Sequence, residues 1–136
     1  MKYALLIYSP STAQEYAAMA AATPHDQDRG GDWVTYTQAA KNAGVLLAAE
    51  QLTHSETATS VRVRGDDRLI TDGPFMETKE HLLGFYLIDV PDLDAALEWA
   101  ARMPAVNGGT VEVRAAISGM AWQRVLAADV RAGERG

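Results

Sequence analysis

Cysteine is absent from the 136-residue sequence. This absence excludes a disulfide framework, a thiolate metal site and a cysteine nucleophile, and it fits a reducing compartment. Histidine is scarce: the three residues are His25, His54 and His81, and their spacing matches no metal-binding motif. We therefore expect no metal ion. The sequence also contains no glycine-rich nucleotide-binding motif, so we expect no cofactor.

Basic residues are also few. Twelve Lys and Arg residues stand against 18 Asp and Glu residues, which gives a formal net charge of −6. An acidic surface repels phosphate backbones, so the composition argues against general nucleic-acid binding. No stretch approaches the ~18 consecutive apolar residues of a membrane span, and the apolar run at 3–8 is too short for a signal peptide. We expect a cytoplasmic protein.

Hydrophobic patterning predicts both strands and helices. Short apolar or alternating runs predict β-strands at 3–8, 45–49, 58–64, 84–90 and 110–114, with 68–71 as the hairpin partner of 58–64. Helical signals lie between these strands. They are two overlapping capping boxes (Ser11 with Gln14, Thr12 with Glu15), an N-cap at Asp32 with a helix end at Gly44, a helix start at Asp92, and an apolar pattern over 119–131. Pro24 and Pro104 mark helix ends.

This order of elements is a split βαβ pattern around an antiparallel sheet, the ferredoxin-like member of the α+β class. We divide the chain into an α+β domain at 1–117 and a C-terminal helical extension with its tail at 118–136. The helices have to cover one face of the sheet. The runs at 3–8, 45–49 and 84–90 leave apolar side chains on the other face, which is typical of a partner surface. We expect a second copy of the chain to cover it, forming a homodimer.

Residues 72–81 break all periodicity and are rich in ionisable groups. Carboxylates beside a lysine and an imidazole can supply a general acid and a general base when a pocket separates their pKa values. The candidate catalytic residues are Asp72, Glu77 and His81, and the candidate ligand contacts in this segment are Phe75, Thr78 and Lys79. A structural alternative stays open: Asp72-Gly73-Pro74-Phe75 is also a good turn, in which Asp72 bonds the backbone and Phe75 packs into the core.

Two strand ends supply further candidate ligand contacts. Tyr8 ends the first strand, where its ring can pack into the core while its hydroxyl reaches a polar partner. Glu50 follows the apolar run 45–49, and an acid in that position often faces a cavity. Core packing for Tyr8 and solvation for Glu50 are the structural alternatives.

The residues 71–80, TDGPFMETKE, followed by GFYLIDV at 84–90 and GGTVEVR at 108–114, resemble the DGPF-domain proteins of the YCII-related family. The resemblance covers roughly residues 1–117. It implies a bacterial protein with the dimeric α+β barrel arrangement. It also implies activity through a His-Asp pair in YCII-like relatives, whose histidine lies in the helix before the second strand. Here the corresponding residues 32–38 contain no histidine.

Two functional hypotheses follow. The first is a small-ligand-binding protein, or an acid/base enzyme, whose pocket is walled by the 72–81 loop. The second is a regulatory partner of an extracytoplasmic-function sigma factor, which the resemblance implies because many relatives are encoded beside such factors. An acidic chain would complement a basic protein surface in the second case. Between these two hypotheses, the residues leave open whether the protein is an enzyme.

Overall fold

The computed structural model describes residues 1–21, 28–104 and 108–134. Its regular elements are β1 (Lys2–Ser9), α1 (Ala13–Ala21), α2 (Asp28–Asn42), β2 (Leu46–Gln51), β3 (Thr59–Arg64), β4 (Asp67–Asp72), β5 (His81–Asp89), α3 (Leu93–Ala101), β6 (Thr110–Ala115) and α4 (Ala121–Glu134). One turn of 3₁₀ helix, Ser55–Thr57, lies between β2 and β3. The predicted helix end at Pro24, and His25, lie outside the described residues.

Four strands form one antiparallel sheet in the order β2-β5-β1-β6. Strands β1 and β2 are joined through helices and are separated in the sheet by β5, which is the split βαβ arrangement. The predicted α+β, ferredoxin-like fold class is therefore confirmed.

The core lies between this sheet and the helices α2 and α3. Alternate residues of β1, including Leu5, are buried beneath Tyr36 and Ala40 of α2 and beneath Ala96 of α3. Leu5 pairs with Tyr86 of β5 and with Val113 of β6, so all three strands contribute to the same face. Burial of these apolar side chains supplies the main stabilising free energy of the domain.

The opposite face of the sheet, which we call the open face, carries the other set of alternating residues. Ala4 and Leu6 of β1 pair with Leu87 and Phe85 of β5, and all four side chains are only partly buried. Along β6 this face becomes polar, because Glu112 and Arg114 pair with Leu6 and Ala4 and form an ion pair of 3.9 Å with each other. The homodimer that would cover the open face remains a prediction.

The β3–β4 hairpin and helix α4 contribute no residue to this core among the residues described. Strands β3 and β4 pair with each other, as predicted, but they form a separate two-stranded sheet. Their side chains Val61 and Ile70 are 62% exposed. Helix α4 carries exposed apolar side chains at Trp122 and Val125. Among the residues that the structure describes, no helix is long and apolar enough to cross a membrane.

The starts of α2, β5 and α1 differ from the sequence prediction for identifiable physical reasons. Helix α2 begins at Asp28, so Asp32 lies inside the helix and is not its N-cap. Packing of Trp33 and Tyr36 against the core outweighs the low helix propensity of the two preceding glycines. Strand β5 begins at His81, because residues 81 and 82 pair with the end of β1.

The third difference concerns the start of α1, where only one of the two capping boxes forms. The Glu15 N–H donates to Thr12 Oγ1 at 3.2 Å, and the Thr12 hydroxyl donates to Glu15 Oε1 at 3.0 Å. Ser11 instead bonds to Ser9, with 2.8 Å between the two hydroxyl oxygens. The chain between β1 and α1 is thereby held close to the end of β1.

Candidate functional site

Three segments that are distant in sequence meet at one end of the sheet. Strand β1 ends there at Ser9, and β5 begins there at His81, which pairs with Ser9. The segment that follows β2 continues along β5, with the Leu52 N–H donating to the Leu83 carbonyl at 2.8 Å. This geometry brings residues 52–57 against both the end of β1 and the start of β5.

Tyrosine apart, His54 is the only polar residue that is buried among those whose exposure the structure describes, at 4% exposure. Its Nε2 lies 3.0 Å from the Ser11 carbonyl oxygen, and its Nδ1 accepts from the Glu56 N–H at 3.2 Å. Because a carbonyl only accepts and a backbone N–H only donates, these partners require the neutral tautomer with the proton on Nε2. The imidazole therefore caps the 3₁₀ turn and ties it to the entry of α1.

His81 lies directly beside this buried ring. The two ring centroids are 4.4 Å apart, with an interplanar angle of 47°. His81 Nδ1 is hydrogen-bonded to Ser55 Oγ, and its side chain is half-buried. We call His54, Ser55 and His81 the imidazole cluster.

Further hydrogen bonds brace the imidazole cluster. The Thr57 hydroxyl donates to the His54 carbonyl at 2.7 Å, and Tyr16 of α1 places its ring centroid 6.0 Å from that of His54. The Tyr16 hydroxyl donates to the Leu52 carbonyl and accepts from Gln51 Nε2. The cluster is thus held by side chains from α1, from β2 and from the turn itself.

The predicted catalytic residues do not all meet at this end. His81 joins the imidazole cluster, whereas Asp72 ends β4 opposite Thr59 and is exposed, as is Glu77. Among the described residues, no hydrogen bond or ion pair joins Asp72 or Glu77 to His81. The catalytic role of Asp72 and Glu77 remains a prediction.

The loop between β4 and β5, residues 73–80, is pinned at its last residue. Glu80 Oε1 accepts from the Thr110 hydroxyl at 3.3 Å, which ties the loop to the start of β6. The Thr78 hydroxyl donates to the Glu80 carbonyl, and Lys79 is exposed. The candidate ligand contacts Thr78 and Lys79 lie within three residues of His81 along the chain.

Phe75 does not pack into the core, so the structural alternative that placed it there is wrong. Its side chain is 72% exposed, and the Arg62 guanidinium lies 5.6 Å from its ring centroid. Phe75 therefore lies next to the β3–β4 hairpin and not next to the main sheet. Gly73 maintains the turn with φ +102°, and its N–H donates to the Ala58 carbonyl.

Tyr8 and Glu50 lie on the open face, on the other side of the sheet from His81. Tyr8 follows the buried Ile7 and precedes Ser9, so alternation turns its side chain away from the imidazole cluster. Partial burial and the neighbouring Glu112 carboxylate raise the pKa of Tyr8 above its ordinary value. Glu50 pairs with Phe85 and is exposed. The structure thus separates the predicted ligand contacts between two faces.

Sequence reasoning missed His54. The signal was weak: a histidine before Ser-Glu-Thr occupies an N-cap position, but histidine is not a favoured cap. No group of three or more His, Asp or Glu side chains in the described ranges could hold a metal ion.

Comparisons with known proteins show similarity over most of the chain. A family model described as the YCII-related domain matches residues 1–118. An uncharacterised protein of Rhizobium meliloti (strain 1021) is 35% identical over 116 residues, which cover 84% of this chain and 90% of the relative. Neither description mentions a ligand, a reaction or a sigma factor, so these expectations remain predictions.

Proposed function

Because the chain belongs to the YCII-related family, whose description assigns no reaction, we propose a function from its own geometry. The protein binds a small organic ligand beside the imidazole cluster and transfers a proton through His81. One observation carries this proposal: the half-buried His81 is bonded through Nδ1 to Ser55 and packs against the buried ring of His54.

The proposed proton carrier is Nε2 of His81. Bonding of Nδ1 to a hydroxyl orients an imidazole and leaves the second ring nitrogen for the reacting group. Histidine is the most frequent general acid and base in enzymes, and a positioned one contributes about 10²–10⁴-fold to rate. Ser55 is then a positioning residue, because it acts through the His81 ring.

Loop 73–80 supports the position of the ligand. Glu80 directly precedes His81 and is tied to Thr110, so the loop cannot leave the end of the sheet without breaking this bond. In the proposal, Thr78 and Lys79 form the outer wall of the site and contact polar groups of the ligand. Neutral hydroxyls near the cluster, at Ser9 and Ser11, suit a small polar molecule.

Proton transfer can be tested without knowledge of the natural substrate. Acetoacetate, a small β-keto acid, is incubated with the protein in D₂O, and deuterium incorporation at the carbon between its two carbonyls is followed by proton NMR. We expect the protein to accelerate exchange, and we expect His81→Gln to abolish the acceleration. Ser55→Ala should retain part of the acceleration, because His81 is still present but loses the hydrogen bond that orients its ring.

The matched control is Glu56→Gln, an exposed side chain on the same 3₁₀ turn, which should leave exchange unchanged. Circular dichroism verifies that each variant is folded. Glu77→Gln, measured in parallel, decides whether that carboxylate takes part. Equal exchange in the wild type and in folded His81→Gln would disprove the proposal.

A further inference from the structure

A groove between α2 and the end of α3 lies apart from the imidazole cluster and shares no residue with it. Its volume is about 400 Å³, within the range of small-molecule sites. The lining side chains that matter here are Asp32, Tyr36, Ala39, Ala101, Arg102 and Met103. We call this the α2–α3 groove.

Arg102 is held in this groove by its neighbours. Its guanidinium carbon lies 4.3 Å from the centroid of the Trp99 ring, and its backbone N–H donates to the Glu98 and Ala100 carbonyls. In the described part of the chain it forms no ion pair, including with Glu98 one turn earlier. A guanidinium held over an aromatic ring by cation–π attraction still offers N–H donors to a planar anion such as a carboxylate.

Asp32 supplies the opposite charge in the same groove. It is exposed, and in the described ranges it also takes part in no ion pair. Asp32 and Arg102 therefore line one cavity without closing on each other. A ligand that carries both a carboxylate and an ammonium group can pair with both.

The remaining surface of the groove favours a ligand that has zero net charge and an apolar part. Ala39 and Ala101 are small, and Met103 is buried at 3% exposure. Tyr36 adds no negative charge, because burial and the neighbouring Tyr86 raise its pKa and its hydroxyl donates to the Trp99 carbonyl. The net charge of −6 also disfavours a purely anionic ligand.

We propose that the α2–α3 groove binds a small zwitterion, an α-amino acid with an apolar side chain. Arg102 pairs with the carboxylate, Asp32 with the ammonium group, and Ala39 and Ala101 contact the side chain. This site is distinct from the proton-transfer site and does not depend on it.

Three related compounds test the two charges separately by isothermal titration calorimetry. They are L-leucine, 4-methylpentanoate, which lacks the ammonium group, and isoamylamine, which lacks the carboxylate. We expect L-leucine to bind at least about tenfold more tightly than either of the others. Each of those two lacks one charged group and therefore loses one charge-assisted hydrogen bond to the protein. No measurable binding of L-leucine, or equal binding of all three, would overturn the proposal.

Variants locate the site. Arg102→Gln should weaken L-leucine binding about tenfold or more. Arg102→Lys should weaken it less than that, because the charge remains and the planar fork is lost. Asp32→Asn tests the ammonium pair without disturbing the Trp99 stack, and Arg124→Gln in α4 is the control for loss of a surface arginine. Unchanged L-leucine binding in folded Arg102→Gln and Asp32→Asn would place the ligand elsewhere and refute the assignment.

Discussion

His54 and His81 lie with their ring centroids 4.4 Å apart, yet their environments differ. The His54 ring is buried and bonded to two backbone groups, whereas the His81 ring is half-buried and bonded to a hydroxyl. Similar side chains in contact can therefore have different roles. The first ring holds the local structure, whereas the second is the proton carrier in the function that we propose.

Replacement of His54 should destabilise the protein. His54→Ala leaves the Ser11 carbonyl and the Glu56 N–H without their partner and opens a cavity, so we expect a loss of about 2–3 kcal/mol in the free energy of unfolding. Urea denaturation at neutral pH measures it. The matched variant His81→Gln should cost less than about 1 kcal/mol, because that side chain is half-exposed. Equal stabilities of the two variants would contradict the structural role of His54.

Substitution of Gly84 should separate two strands of the sheet. A Cβ at this position would lie 2.8 Å from the Glu50 carbonyl oxygen and 3.5 Å from Gln51 Cα, both in the backbone of β2. Since backbone cannot move aside as a side chain can, Gly84→Ala should cost about 1–3 kcal/mol in the free energy of unfolding. Ala48→Ser, at an exposed position of β2, is the control and should change it by less than about 0.5 kcal/mol.

Stability should fall in alkaline solution. Burial raises the pKa of both Tyr36 and Tyr8 in the folded protein, so above about pH 10 the unfolded chain binds fewer protons than the folded one. The free energy of unfolding is then fully retained below that pH and decreases as the pH rises further. Urea denaturation across this range measures the decrease.

Tyr36→Phe separates this effect from general alkaline damage. The variant loses the hydrogen bond to the Trp99 carbonyl, 2.9 Å in length, which should cost about 1 kcal/mol at neutral pH. Its stability should then depend less steeply on pH in the alkaline range. An unchanged slope would show that Tyr36 does not carry the pH dependence.

The open face should be an interface between two copies of the chain. We expect multi-angle light scattering to report a dimer for the wild type and a monomer for Leu6→Glu, because a new carboxylate beside Phe85 and Glu112 would be costly to bury in the interface. Leu69→Glu places the same charge on β4, where the side chain is already 49% exposed, and should remain dimeric. A wild-type monomer at micromolar concentration would remove the basis for the dimer.

The fold was predictable because its signals are local. Alternation in 58–64 identified a strand of the hairpin, and the run at 84–90 identified most of β5. The errors at Asp32 and His81 arose where a helix or strand extends through residues of poor propensity because it packs or pairs with a distant segment. The alternative that placed Phe75 in the core failed for a related reason. The position of an aromatic residue after a turn does not show which surface its side chain will contact.

The sequence by itself determined the order and type of the elements, the acidic charge, the absence of thiol chemistry and the choice of His81 as a candidate. Only the tertiary structure decided that His54 is buried beside His81, that Tyr8 and Glu50 face the other side of the sheet, and that the Arg102 guanidinium lies over the Trp99 ring. Periodicity and propensity are properties of neighbouring residues. Contact between β5 and the turn after β2 depends on strand register and packing, which are settled only when distant segments meet.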